Sequence, residues 1–543
     1  MNDHSSEWWK SCVIYQVYPR SFYDSNGDGI GDLDGITQKL DHLIELGVNT
    51  LWVSPFFASP QVDFGYDISD FTSVAPEYGN LDSAKALIDA AHQRGLKVLF
   101  DLVLNHTSSQ HPWFQDSLTG KSSEHADWYI WADGRGPAGR IPPNNWRSGL
   151  EVKSAWHYSK TRKQWYLGTF LPCQPDLNWR NEHVREAMFN AVKFWLDLGV
   201  DGFRLDMFGA IMKDPMLRSN PFRPYMEPSE LMRLWRRDYT ENTDDNFELA
   251  RDLRSVLMRY EPERVLIGEV FGPPETLKRY VANGAGLHFT FLFGFLAFRF
   301  KAKFFSKLIA SYEKNFPDPY LPTYVLENHD RARSFSRVRE NIFKAKLLAL
   351  LMLTLRGVPV IYQGQELGMP NTYIPLRKAK DPIAKEYFWW MPEFVSKRLP
   401  ERINRDEVRT PMQWDSSVNA GFCPPNTNPW LPVNENYLSC NVEVQRSYEY
   451  SLFCWYKAVL AQRALRPSLT LGDLVMISGL PDQVIGYART HGEDSCQVFL
   501  NFGDTDSYFD VTAPDKVILS SDPGNLLLDG RLKLAPYGAI LLA

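Results

Sequence analysis

Short apolar runs alternate with amphipathic stretches along most of the chain. Val13-Ile14-Tyr15-Gln16-Val17-Tyr18 reads as a strand, and Ile36, Leu40, Leu43 and Ile44, stopped by Gly47, predict a helix after it. Thr50 to Ser54 is a second strand, 83–94 a helix ended by Gly95, and Val98 to Val103 a third strand. The alternation resumes at 202–207, 265–270, around 287–293, 322–327 and 358–363, with a helix over 341–355 before the last run. Eight strands with helices between them, most of them near-continuous apolar runs, predict an α/β fold: a (β/α)8 TIM barrel.

Two gaps break this rhythm. From Asn105 to Asn178 the chain is rich in Trp, Gly and Pro without a helical period, which predicts a small domain inserted after the third strand. A second irregular stretch, about 365–445, is rich in Pro, Asn and Trp. From 471 onward, short alternating runs such as Val484-Ile485-Gly486-Tyr487 and Cys496-Gln497-Val498-Phe499-Leu500 predict a C-terminal antiparallel β-sandwich. The expected division is barrel over 1–104 and 176–470, insertion over 105–175, and C-terminal domain over 471–543.

The net charge of −6 comes without a dense basic cluster, which argues against a nucleic-acid partner. No apolar run is long enough to span a bilayer, and the first residues carry acid where a signal peptide needs an apolar core. Six cysteines without paired short spacings read as free thiols in a reducing, cytoplasmic compartment.

Polar residues gather where the predicted strands end: Tyr66 and Asp67, Asp101 and His106, Arg204 and Asp206, Glu269, then Asn328, His329 and Asp330. Barrel enzymes build their sites at this face, from residues far apart in sequence. Arg204 and Asp206 are two apart on one strand, so both side chains share a face and the guanidinium can hold the carboxylate ionised. Glu269 ends the apolar run Val265 to Gly268, and desolvation beside anionic Asp206 is expected to raise its pKa. One carboxylate to attack and one to donate a proton is the chemistry of glycoside cleavage. Separately, Asp24, Asn26, Asp28, the Ile30 carbonyl and Asp32 place oxygen ligands at alternate positions, as a calcium loop does, although Gly35 stands where an EF-hand has its Glu.

The motifs Asp101-Leu102-Val103-Leu104-Asn105-His106, Gly202-Phe203-Arg204-Leu205-Asp206, Gly268-Glu269-Val270 and Glu327-Asn328-His329-Asp330 resemble those of glycoside hydrolase family 13, the α-amylase superfamily. Gln174-Pro175-Asp176-Leu177-Asn178 is similar to the signature of its oligo-1,6-glucosidase/α-glucosidase branch. The resemblance implies a retaining mechanism with Asp206 as nucleophile, Glu269 as acid/base and Asp330 as the carboxylate that grips the sugar. It also implies that Asp67, Tyr66, His106, Arg204, His329 and Arg409 surround the terminal glucose, with Phe170 as a ring wall. By the same likeness, Asp24, Asn26, Asp28, Ile30 and Asp32 hold a structural Ca²⁺ or Mg²⁺, and the insertion and tail are the B and C domains. The expected partner is a small oligosaccharide or α-glucoside, and the expected state is a monomer or homodimer.

Three positions depart from the branch pattern. Met207 follows the nucleophile where a small or β-branched residue is commoner, so linkage preference stays open. Arg331 and Gln365 also differ, and both are expected near the acceptor side. An α-glucosidase is the leading expectation. The same chemistry ending on a sugar acceptor (a transglucosidase, sucrose isomerase or trehalose synthase) is the alternative.

Overall fold

The structure is a computed structural model and describes residues 7–149, 153–226, 232–396, 403–511 and 516–543. Strands form at all eight expected places. They are β1 (Ile14–Val17), β2 (Thr50–Val53), β3 (Lys97–Val103), β4 (Gly202–Asp206), β5 (Val265–Gly268), β6 (Phe289–Thr290), β7 (Thr323–Val325) and β8 (Val358–Tyr362). They make one eight-stranded sheet in the order β6-β5-β4-β3-β2-β1-β8-β7, the order a (β/α)8 barrel requires. Nearly every residue of these strands is buried, as strands covered on both faces must be.

The chain divides into two compact units. The first comprises Met1–Leu51, Ala90–Leu96 and Leu292–Ala543; the second comprises Trp52–Asp89 and Lys97–Phe291. In the second unit, β3, β4, β5 and β6 pair in parallel, with Asp101 opposite Arg204 and Val103 opposite Asp206. Gly202 can only be glycine here: a Cβ would sit 2.1 Å from the Val265 carbonyl oxygen on β5. Within this unit the insertion forms a small antiparallel sheet of Trp131–Ala132, Gln164–Leu167 and Trp156–Ser159 over a core of Trp146, Ala155, Trp156 and Leu167.

In the first unit, β8 pairs in parallel with both β1 and β7. Its C-terminal part has a five-stranded and a three-stranded antiparallel sheet, joined by a core that includes Val484, Phe499, Phe509, Leu532 and Ile540. Two arginines are sunk beneath this part, and among the described residues no carboxylate is bonded to either. Arg463 donates to the carbonyls of Leu353, Leu355, Gly357 and Leu469, and Arg489 to those of Thr354 and Gly472. Both thereby cover the C-terminal carbonyls of the helix Ile342–Thr354, where the helix dipole is negative. The described parts of the irregular stretch after β8 are short helical turns, three of them capped by the side chains of Asn404, Asn434 and Asn441.

Candidate active site

The second unit collects three carboxylates on one guanidinium. Arg204 Nη1 lies 2.7 Å from Asp101 Oδ1 and 2.7 Å from Asp206 Oδ1, and its Nη2 bonds to Glu269 Oε2. The strand register brings this about: β3 and β5 flank β4, so Asp101 and the residue after β5 stand to either side of Arg204. The Arg204 side chain is 3% exposed, with the Trp52 ring 5.3 Å away. Trp52 Nε1 and the Tyr66 hydroxyl both donate to Asp101 Oδ2, at 3.3 and 3.1 Å. Burial pushes the Asp101 carboxyl up to about 6 against the pull of Arg204, and the charge of Glu269 adds to the rise. One cation among three buried acids leaves negative charge in excess, a setting that retains a proton.

Met207, directly after the nucleophile candidate, takes the left-handed conformation (φ 41°, ψ 40°). A side chain there costs about 1–3 kcal/mol of backbone strain. Its N–H donates to Glu269 Oε2 at 3.2 Å, and the N–H of Phe208 donates to the Glu269 carbonyl at 2.9 Å. The turn therefore ties the ends of β4 and β5 together.

Other expected residues of this unit support one another. His106 receives the Asn105 amide at Nδ1 (3.1 Å) and donates from Nε2 to the Tyr66 carbonyl (3.0 Å). Burial lowers its pKa, so it stays neutral. Phe170 packs against it with ring centroids 5.4 Å apart. Asp67 is fully buried and accepts from Ser59 and from the N–H groups of Val62 and Asp63, while burial raises its carboxyl to about 6. The Gln174–Asn178 signature fastens the insertion. Gln174 donates to Asp63 at 3.0 Å, and Asp176 pairs with the buried ammonium of Lys213 at 2.6 Å.

The first unit builds a contrasting group. Asp330 Oδ1 receives Arg409 Nη2 at 2.7 Å and Arg405 Nη1 at 3.3 Å. The Gln16 amide donates to His329 Nδ1 at 2.7 Å, which leaves the His329 proton on Nε2, 3.4 Å from Asp330 Oδ2. Burial opposes the charge on Asp330, but His329, Arg405, Arg409 and Arg331 outweigh it and hold the carboxyl well below its ordinary range. Arg405 and Asp101 are absent from the resemblance-based set. Asp101 opens a quoted motif, whereas Arg405 has no signal beyond standing four residues before Arg409. Gln365 differs from its expected place. It is 3% exposed and bonds to the Tyr456 hydroxyl and the Tyr362 N–H, so it serves packing.

The loop from Asp24 to Asp32 runs through consecutive Asx turns, with Asp24, Asn26 and Asp28 each accepting the N–H two residues on. Asp24 and Asp32 are buried, while Asn26 and Asp28 are exposed. Among the described residues no group of three or more Asp, Glu, His or Cys side chains is gathered closely enough to hold an ion. Burial raises the Asp32 carboxyl, and the nearby charge of Asp24 adds to the rise. An all-oxygen donor set with two neighbouring buried carboxylates suits a hard divalent cation.

The alpha-amylase catalytic-domain family matches residues 16–472. A probable alpha-glucosidase of Rhizobium meliloti (strain 1021) is 37% identical, over 98% of this chain and 96% of its own. An oligo-1,6-glucosidase of Parageobacillus thermoglucosidasius is 36% identical, over 94% and 93%. Among solved structures, an alpha-glucosyl transfer enzyme superposes with a TM-score of 0.89 at 34% identity, over 98% of this chain and 99% of its own. An isomaltulose synthase from Erwinia rhapontici NX5 superposes at 0.88 and 31%, over 98% of each chain. The Arg204-centred carboxylates at the ends of adjoining parallel strands and a match along most of the sequence lead to one conclusion: this chain belongs to the alpha-amylase family of glycoside hydrolases.

Proposed function

We propose that the protein is a retaining, exo-acting α-glucosidase that releases terminal α-linked glucose from short oligosaccharides or α-glucosides. The observation that carries this reading is the single guanidinium of Arg204 bonded to both Asp206 and Glu269. Two carboxylates sharing one such group favour the roughly 5–5.5 Å separation of retaining enzymes over the wider gap that admits a water between them. Asp206 attacks the anomeric carbon while Glu269 gives its proton to the leaving oxygen, forming a β-glucosyl ester on Asp206. Glu269 then takes a proton from water, the water oxygen bonds to the anomeric carbon, and the ester bond to Asp206 breaks. Asp330, whose carboxyl is held below its ordinary range, grips the sugar hydroxyls. Tyr66, Asp67, His106, Phe170, His329 and Arg409 line the glucose subsite by the family likeness.

Asp24, Asn26, Asp28, Ile30 and Asp32 are proposed as the residues that would hold Ca²⁺ or Mg²⁺, a structural ion that would offset the buried carboxylate charge and take no part in bond breaking. The segments 105–175 and 471–543 are proposed as the B and C domains. The six free cysteines favour a reducing, cytoplasmic setting. Among the described residues no helix is long and apolar enough to cross a membrane.

The transfer reading is favoured by one fact: solved neighbours include an alpha-glucosyl transfer enzyme and an isomaltulose synthase. The two readings differ in whether water or a sugar hydroxyl meets the intermediate. Maltose, isomaltose, sucrose, trehalose and kojibiose at high concentration, with products identified, separate them. Trapping with 5-fluoro-α-glucosyl fluoride tests the chemistry itself. The adduct is expected on the peptide carrying Asp206, and an adduct elsewhere sinks the assignment.

A further inference from the structure

Asp330 is gripped by a second arginine that has its own buried counter-ion. Arg405 Nη1 reaches Asp330 Oδ1, the same oxygen that Arg409 holds. The rest of the Arg405 fork lies along Asp381: Nη2 is 2.8 Å from Asp381 Oδ1, and Nε is 3.1 and 3.2 Å from its two oxygens. Asp381 also accepts the Arg405 N–H at 2.7 Å. The clasp is reciprocal, because Asp406 accepts the N–H groups of Lys380 and Asp381 at 2.5 and 3.1 Å. Asp381 and Asp406 are fully buried, and the Arg405 side chain is 11% exposed.

Burying the Asp381 charge is costly unless it is matched, and Arg405 matches it. A planar fork held along one edge by a carboxylate has little rotational freedom, so its remaining Nη1 points in a fixed direction. That direction is Asp330. With Arg409 and Arg405 both on Oδ1, the oxygen left for a substrate hydroxyl is Oδ2. It lies 3.4 Å from the His329 Nε2–H, on a side chain that is 34% exposed.

We propose that Asp381 and Arg405 form a positioning pair: Asp381 acts through Arg405 to orient Asp330, so that Oδ2 is the oxygen presented to the glucose. This deepens the glucosidase reading and rests on the role assigned there to Asp330. Neither residue touches the sugar. Their contribution belongs to the transition state, where the hydroxyl contacts tighten, so it is expected in kcat more than in KM.

The test is a double-mutant cycle of D381N and R405Q, read in kcat, KM, melting temperature and the pH profile of kcat/KM. Each single variant is expected to lose 10-fold or more in kcat with KM within about threefold. In R405Q the acid limb should also move up, because a cation that keeps Asp330 ionised is gone. The double variant is expected to be no slower than R405Q alone, the signature of one residue acting through the other. R405K, which keeps the charge without the fork, should recover only part of the loss. Additive kcat losses with an unmoved acid limb overturn the proposal, as does a D381N enzyme with wild-type kcat. If D381N fails to fold, R405Q and R405K still decide through kcat and the acid limb. D330N separates this inference from the underlying reading. A fully active D330N removes the glucosidase role of Asp330, whereas a dead D330N beside an unaffected R405Q removes only the positioning pair.

Discussion

Around Asp206, one guanidinium serves three carboxylates; around Asp330, two guanidiniums and a histidine serve one. The first group sits in the last residues of barrel strands and the one after β5, the second past the end of β7; both are heavily hydrogen-bonded, yet their charge balance differs. The first is short of positive charge, a setting that favours keeping a proton, as the proposed acid role of Glu269 requires. In the second, two arginines meet on the one carboxylate of Asp330, one of them shared with buried Asp381, and they hold that carboxyl below its ordinary range. The difference teaches that an acid's role is set by how many cations it shares and with whom, since the side chains themselves are chemically alike.

The comparison can be broken most severely at Asp206. D206N is expected to lose about 10⁴-fold or more in kcat/KM, since an amide cannot form the glucosyl ester. Steady-state kinetics on maltose and an aryl α-glucoside measures it, and full activity in a folded variant ends the retaining mechanism. E269Q comes next, at roughly 10²–10⁴-fold for a substrate whose leaving oxygen needs a proton. An aryl glucoside with an acidic phenol should lose much less, and equal losses on both substrates would contradict the acid role. R204M leaves buried carboxylates without their cation and is expected to destabilise the fold by about 3–5 kcal/mol, read by denaturant unfolding.

The smallest effect concerns pH and stability, where the two groups should move in opposite directions. Asp101 sits at about 6 in the folded state, above the roughly 3.9 of an unfolded chain. Its contribution is therefore complete below about pH 4 and is lost as the pH rises through 6, by on the order of 2–3 kcal/mol. Asp67, raised by burial to about 6, has the same sign. Asp330 is shifted down, so its contribution is present above about pH 4 and fades as the pH falls below. Melting temperatures of wild type, D101N and D330N across pH 3–7 test this. D101N should flatten the decline between pH 4 and 6, and D330N should flatten the loss below pH 4.

The barrel was legible because its strands are continuous apolar runs between helices with ordinary stops, such as the left-handed Gly47 after Leu46. The expected helix over 36–46 is in fact two, divided at Lys39, because Asp32 caps a first short helix, Leu33–Gln38. The Asp206 group was legible because its members end strands and fall inside recognisable motifs. Asp381 and Arg405 were not, since they lie in a stretch without periodicity, where only the reciprocal clasp of Asp381 and Asp406 reveals what the loop is for. Gln365 shows the reverse failure: its position in a motif suggested the acceptor side, while its contacts with Tyr456 and Tyr362 put it in the core.

The left-handed turn at Met207 bears on how this enzyme can be redesigned. The residue that invites substitution to alter linkage preference also lends its N–H to the carboxylate proposed as the acid, and its neighbour Phe208 holds the same residue's carbonyl. A library built at position 207 to change which bond is cut would therefore disturb how fast any bond is cut. Position 207 and the proposed acid share one peptide unit, and linkage variants that leave that acid undisturbed are better sought on the insertion, around Phe170, than beside Asp206.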